Sequence, residues 1–143
     1  MPLLIRPMRP EDVPAAHVIR LLVRENRLSD PSVVQEKDYL EFMSRDTLSW
    51  VCEASGRIQG FIMVDIAKQN LWALFVDPYH EGIGIGRALH EVMIAAYFQL
   101  ASVLRLTTAP HTRAEGFYRN VGYSVLGLTK NGKELILELH RPA

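Results

Sequence analysis

Hydrophobic positions along the chain alternate between short continuous runs and stretches with helical spacing. Leu3-Leu4-Ile5-Arg6 predicts a first short strand, stopped by Pro7 and Pro10. From about Glu11, Val13, Ala16, Ile19/Arg20 and Val23 recur at helical intervals, and Glu11 and Asp12 favour the positive end of that helix. Residues 24–31 are polar, break the pattern and predict a loop. Ser32 suits the N-cap of a second helix carrying Val33, Val34, Tyr39, Leu40 and Met43. The texture then changes. Residues 48–54 and 58–65 predict two strands joined at Ser55-Gly56, and the nearly continuous apolar run 71–76 predicts a strand buried on both faces, stopped by Asp77-Pro78. Leu89, Val92/Met93, Ala96 and Leu100 form a helical stripe over residues 87–100. A strand at 103–108, a short helix at 113–121 and strands at 123–129 and 134–139 complete the chain. Asn131-Gly132 between the last two is a strong hairpin signal.

The predicted order is β-α-α-β-β-β-α-β-α-β-β. A hairpin-rich first half leading into a strand–helix–strand crossover implies a mixed α/β sheet. At 143 residues, the chain fits one domain able to bury a real core, and 48% apolar with 22% charged residues is ordinary for a globular protein. Sixteen basic residues balance sixteen acidic ones, so the basic excess expected of a nucleic-acid-gripping protein is missing. The single cysteine, Cys52, forms no internal disulfide, and mid-strand it reads as a small core residue. No run reaches membrane-spanning length and the first residues do not read as a signal peptide, so a cytoplasmic protein without membrane attachment is expected.

Most of the functional information lies between Val76 and Leu89. A buried strand ends at Asp77-Pro78, the chain turns, and Gly82, Gly84 and Gly86 open a helix. Residues without side chains let successive backbone N–H groups approach an anion, and the unpaired N–H groups of a first helical turn add their dipole. Arg87 adds a mobile positive charge at the same end. A dinucleotide fingerprint fails here, because its last glycine would fall on Arg87 or Leu89, and a Walker loop fails for want of Gly-Lys-Ser/Thr. A glycine-rich turn that only relieves crowding is the competing reading.

The stretch Val76-Asp77-Pro78-Tyr79-His80-Glu81-Gly82-Ile83-Gly84-Ile85-Gly86-Arg87-Ala88-Leu89 resembles the cofactor motif of the GNAT acyltransferase superfamily, which runs Val-x-Pro, then Gln/Arg-x-x-Gly-x-Gly/Ala, then a helix. Glu81 departs from the Gln or Arg preferred there. About thirty residues on, Ala114-Glu115-Gly116-Phe117-Tyr118-Arg119-Asn120-Val121-Gly122-Tyr123 resembles the family's second motif, A-x-x-F-Y-x-x-x-G-F/Y. The resemblance covers the whole chain, residues 1–143. It implies an α/β (α+β) fold with a mixed, mostly antiparallel sheet of about seven strands flanked by about four helices.

The resemblance also implies acetyl-CoA as co-substrate and an unidentified amine as acceptor, without metal, nucleic acid or membrane. Backbone groups of Glu81, Gly82, Ile83, Gly84, Ile85, Gly86 and Arg87 would hold the pyrophosphate, and the strand edge at Leu74, Phe75 and Val76 would pair with the pantetheine amides. His111 matches an asparagine that bonds the pantetheine arm in many relatives, though a surface histidine is the equal alternative. Tyr118 matches the tyrosine that protonates the departing thiolate, a role suited to a phenol that is neutral at working pH. Phe117 is expected to pack the helix against the sheet.

The chemistry thins out at the base and the acceptor. Relatives place Glu or His at positions matching Asn70 and Trp72, and neither residue here is a base. Trp72 is expected in the core or on the acceptor wall. His90-Glu91-Val92-Met93-Ile94 lacks the second histidine of a zinc helix, and His17, His80, His90, His111 and His140 show no ligand spacing with Cys52. Gly122-Tyr123-Ser124-Val125-Leu126 lacks the last glycine of a nucleophile elbow. The loop charges Arg24, Glu25, Asn26, Arg27 and Asp30 have no dominant sign and define no acceptor. A non-catalytic acyl-CoA-binding domain and a pure interaction module are the rival readings, and a homodimer is compatible with the family without any residue that specifies one.

Overall fold

The computed structural model describes residues 2–23 and 34–143. The loop at 24–31, its charged residues and Ser32 lie outside the described residues. The second helix is capped at Gln35 and starts at Glu36, so the expected Ser32 cap is corrected and Val34 precedes the helix. Strands β1 (Leu4–Pro7), β2 (Thr47–Ala54), β3 (Arg57–Asp65), β4 (Asn70–Val76), β5 (Val103–Thr108), β6 (Ser124–Leu128) and β7 (Leu135–His140) form one sheet in the order β1-β2-β3-β4-β5-β7-β6. All neighbours are antiparallel except β4 and β5. Helices α1 (Val13–Leu22), α2 (Glu36–Met43), α3 (Ile85–Tyr97) and α4 (Arg113–Asn120) cover the sheet. The expected mixed, mostly antiparallel sheet of seven strands with four helices is therefore present.

Alternation along the strands distributes side chains to two cores. On β3, Ile62 and Val64 join Leu89, Met93 and Tyr97 of α3, whereas Phe61 and Met63 join Ala16 and Ile19 of α1 and Tyr39 and Phe42 of α2. Before α1, residues Pro10–Asp12 form a 3₁₀ turn. Asp12 does more there than favour a helix end: it is buried and takes two hydrogen bonds from Arg6, at 2.8 and 2.9 Å, and one from the Arg9 amide at 2.7 Å. The Arg6 guanidinium, followed by the Arg9 amide, holds the Asp12 carboxyl below its ordinary range despite burial. This clamp ties β1 to the start of α1.

Helix α3 begins two residues earlier than its stripe predicts, because Gly84 caps it in a left-handed conformation (φ 87°). It ends at Tyr97, so Leu100 is exposed rather than part of the stripe, and the buried face is Ile85, Leu89, His90, Met93 and Tyr97. Its close approach to the sheet depends on Gly60 of β3. A Cβ there would lie 2.8 Å from Ile85 Cγ2 and 3.2 Å from the Phe75 carbonyl oxygen.

Strand β4 departs from simple alternation. Its register against β3 pairs Leu71 with Val64 and Ala73 with Met63, leaving Trp72 as an extra residue in a bulge. Trp72 and Ala73 consequently share the α1/α2 face, and beyond them Leu74 and Val76 turn to the α3/α4 face while Phe75 joins α1 and α2. On its other side β4 pairs with β5 at Asn70↔Arg105 only. Beyond that point the two parallel strands have no ladder between them. The expectation of a strand buried on both faces therefore holds only in part. Leu71, Ala73 and Phe75 are buried, but Trp72, Leu74 and Val76 are half-buried because the gap between β4 and β5 leaves them on open walls.

Candidate active site

Two cavities meet at the gap between β4 and β5. The first, about 360 Å³, runs along Leu74, Phe75 and Val76, past His80, Glu81, Gly82, Gly84, Ile85, Gly86 and Arg87, to Arg113, Ala114, Phe117 and Tyr118. The second, about 800 Å³, is walled by residues 71–75 of β4, by Leu106, Thr107 and Thr108 of β5, by Arg20 of α1 and by the β6–β7 connection. Leu74, Phe75, Ala114 and Tyr118 line both. A bond formed beside Tyr118 is thus reachable from two sides.

The first cavity ends on the glycine turn. Gly82 and Gly84 have φ of 82° and 87°, the left-handed region that side chains disfavour, and a Cβ at either would project into open space. Ala88 donates to the Gly84 carbonyl at 3.0 Å, and no side chain caps the helix. The amides of the first turn of α3 consequently have no intrahelical acceptor. Arg87 adds a cation at the end of the helix where the dipole is already positive, a position unfavourable by about 0.3–1 kcal/mol unless an anion sits there. An open cradle of free amides with a cation beside it fits a phosphate group.

Glu81 is paired with Arg113, at the first position of α4. The carboxylate that departs from the family preference is thereby neutralised from across the groove instead of facing the cradle alone. The sequence reading missed Arg113, although its place directly before the Ala114 motif was the available signal. Thr112 caps α4 by accepting from the Glu115 amide at 3.3 Å. His111, with φ of 64°, is exposed, donates its amide to Glu115 at 2.7 Å and lies on neither cavity wall. Ile83 is exposed at 58% and also lies off both walls. The other sequence-selected residues, Leu74, Phe75, Val76, Glu81, Gly82, Gly84, Ile85, Gly86, Arg87 and Tyr118, are brought together on the first cavity.

Tyr118 is 8% exposed and packs edge-to-face against Phe117 and Tyr123, with centroids 5.3 Å away in each case. Its hydroxyl has no hydrogen-bond partner among the described residues, and burial pushes its pKa well above that of an ordinary phenol. Behind it, the Tyr123 hydroxyl and His90 Nε2 lie 2.8 Å apart in the core. Burial, reinforced by Arg87, lowers the His90 pKa to about 4, so this histidine is a neutral packing partner and no ligand or base. Phe117 both packs against His90 and walls the groove.

The family description "acetyltransferase (GNAT) domain" matches residues 21–137. The chain belongs to the GNAT acetyltransferase family. A curated relative, the peptidyl-lysine N-acetyltransferase YjaB of Escherichia coli, is 34% identical over 68 residues, a stretch spanning 48% of this chain but only 43% of that protein. Among solved structures, a ribosomal-protein alanine N-acetyltransferase from Escherichia coli superposes with a TM-score of 0.78 at 21% identity, covering 97% of this chain and 94% of that one. The PaiA N-acetyltransferase of Thermoplasma acidophilum, solved with coenzyme A, gives 0.76 at 19% identity over 99% and 100%. At these identities the structural likeness establishes the fold. In this GNAT domain no helix among the described residues is long and apolar enough to cross a membrane. Nor do three or more His, Cys, Asp or Glu gather among the described residues as a metal site would require.

Proposed function

We propose that this GNAT domain transfers an acetyl group from acetyl-CoA to an amine in a ternary complex, with Tyr118 as the acid that serves the leaving thiolate. The observation that carries this reading is the position of Tyr118 on the wall shared by both cavities. The amides of residues 82–87 and the Arg87 cation hold the pyrophosphate. The β4 edge at Leu74, Phe75 and Val76, unpaired on the β5 side, accepts and donates to the pantetheine amides. The second cavity takes the amine. Coenzyme A in the PaiA structure and the lysine acceptor of YjaB are consistent with this assignment to donor and acceptor.

Tyr118 holds its proton until a strong base appears beside it. The neutral amine attacks the thioester carbonyl and the C–N bond forms. As the C–S bond breaks the phenol O–H donates to sulfur, and the proton shed by the new amide nitrogen restores the phenol. Burial raises the phenol, and the same apolar walls disfavour a free thiolate, so the two groups stay matched. The ammonium must lose its proton first. No base stands at Asn70 or Trp72, and Glu134 is the carboxylate on the second cavity's wall.

Coenzyme A titration and the turnover of Tyr118→Phe test this reading. Loss of the acid should slow turnover by about 10²–10⁴-fold while leaving coenzyme A affinity unchanged. An unchanged rate removes Tyr118 from the mechanism, and absence of coenzyme A binding at millimolar concentration removes the enzymatic reading itself.

A further inference from the structure

The second cavity contains a cation without a counter-ion among the described residues. Arg20 extends from α1 so that its guanidinium carbon lies 5.1 Å from the Trp72 ring centroid and 4.9 Å from that of Phe75. The Tyr39 hydroxyl, 3.1 Å from His17 Nδ1, lies near enough to feel the charge of the same guanidinium. Two aromatic faces thus hold a side chain that would otherwise sample many rotamers. Its Nη1 is fully buried and has no hydrogen-bond partner among the described residues. No carboxylate among the described residues pairs with it, unlike Arg6, Arg45, Arg105, Arg113 and Arg119.

Nη1 is closed to a ligand, but Arg20 as a whole is half-buried on the cavity wall. A guanidinium held in one orientation there is suited to a carboxylate. Among the described residues the other charges on the cavity wall are Lys133 and Glu134, so Arg20 leaves them with an excess of one positive charge. That balance opposes a second ammonium on the acceptor and favours an anion. Tyr118 stands on the same wall, so an acceptor bridging the cavity presents its anionic end to Arg20 and its amine to the thioester.

The geometry points to an acceptor that is a small amine bearing a carboxylate, held through that carboxylate by Arg20. This specificity rests on the acetyltransferase reading. It also accounts for the bulge at Trp72, which puts the indole on the α1/α2 face, where it stacks on Phe42 with centroids 4.7 Å apart and supports Arg20.

The test uses product pairs that need no turnover: N-acetylglycine, N-acetyl-β-alanine and N-acetyl-γ-aminobutyrate, each against its own primary amide. Each is titrated calorimetrically into the whole protein with and without coenzyme A. At least one acid should bind about 10- to 100-fold more tightly than its amide. Arg20→Gln should erase that preference without weakening the amide, and Arg20→Lys should restore only part of it. Equal affinity within all three pairs overturns the assignment, as does a preference removed by Lys133→Gln and kept in Arg20→Gln. Should Arg20→Gln fail to fold, the wild-type pairs together with Lys133→Gln still decide: a preference kept in Lys133→Gln supports Arg20, and one lost there overturns it. Coenzyme A affinity, read in the same cell, separates the two claims. Lost coenzyme A binding with an intact acid preference sinks the acetyltransferase reading alone, and the reverse sinks the carboxylate pocket alone.

Discussion

Replacing Gly60 by alanine should displace the helix that forms the anion cradle. The new Cβ would meet Ile85 Cγ2 at 2.8 Å, Leu89 Cδ1 at 3.2 Å and the Phe75 carbonyl oxygen at 3.2 Å. The leucine tip can give way, but the other two contacts resist. Ile85 is β-branched and helical, stiff at χ1, and 1% exposed, while the carbonyl belongs to the paired strand β4. Restoring an ordinary carbon contact of about 3.5–4.0 Å requires the first turn of α3 to lift by about 0.7–1.2 Å. Overpacking of this kind costs about 1–3 kcal/mol. For a chain of this size that lowers the melting temperature by about 3–10 °C. The amides of the glycine turn move with Ile85, so coenzyme A affinity should fall as well.

Urea unfolding and coenzyme A calorimetry on the same preparation measure both effects. Gly86→Ala is the matched control. Its Cβ would meet Val76 and Phe117 at 3.6–3.9 Å, ordinary contact, within a helix where alanine is favoured by up to about 1 kcal/mol. The two substitutions should therefore shift the urea midpoint in opposite directions. A Gly60→Ala protein with the wild-type midpoint and wild-type coenzyme A affinity would refute the argument that this glycine sets the position of α3.

Three other outcomes are expected. Gly84→Asp forces a side chain into φ of 87° and puts a carboxylate at the cradle, so coenzyme A affinity should fall by at least about 100-fold in calorimetry; retained affinity would relocate the pyrophosphate. Glu81→Gln releases Arg113 from its partner and should leave coenzyme A affinity equal or improved, whereas a large loss would show that the ion pair builds the groove. His90 has its native pKa lowered to about 4 from 6.5, so the unfolded chain takes up its proton first as pH falls. Its stabilisation is complete above pH 6.5 and drains away toward pH 4, on the order of 3 kcal/mol. The urea midpoint should drop over that range and the drop should shrink in His90→Gln; equal slopes would contradict a buried neutral imidazole.

The element order and nearly all strand positions were legible in the sequence, because period-two and helical patterns report which face is buried. Misses occurred at ends. The α3 stripe could not show that Gly84 caps the helix or that Leu100 falls beyond it, since both depend on backbone dihedrals rather than hydrophobicity. At the site, the glycine turn was readable from its spacing, and Tyr118 from the resemblance of residues 114–123 to the family's second motif. Arg113 and Arg20 were not selected. Arg20 shared a stripe position with Ile19, and a charged residue at a half-core position was the one local sign of its role.

By itself the sequence determined the class of sheet, the glycine turn before α3 and the placement of Tyr118 on the helix after β5, all set by short-range spacing. Only the tertiary structure decided what those parts surround. An extra residue at Trp72 reverses the facing of the end of β4, and a single register pair between β4 and β5 leaves a gap there. That gap joins two cavities at Tyr118, brings Arg113 onto Glu81, and leaves Arg20 held between aromatic rings with no carboxylate partner among the described residues. The physical reason is that register and splay are set by contacts between strands distant along the chain, which no local pattern records.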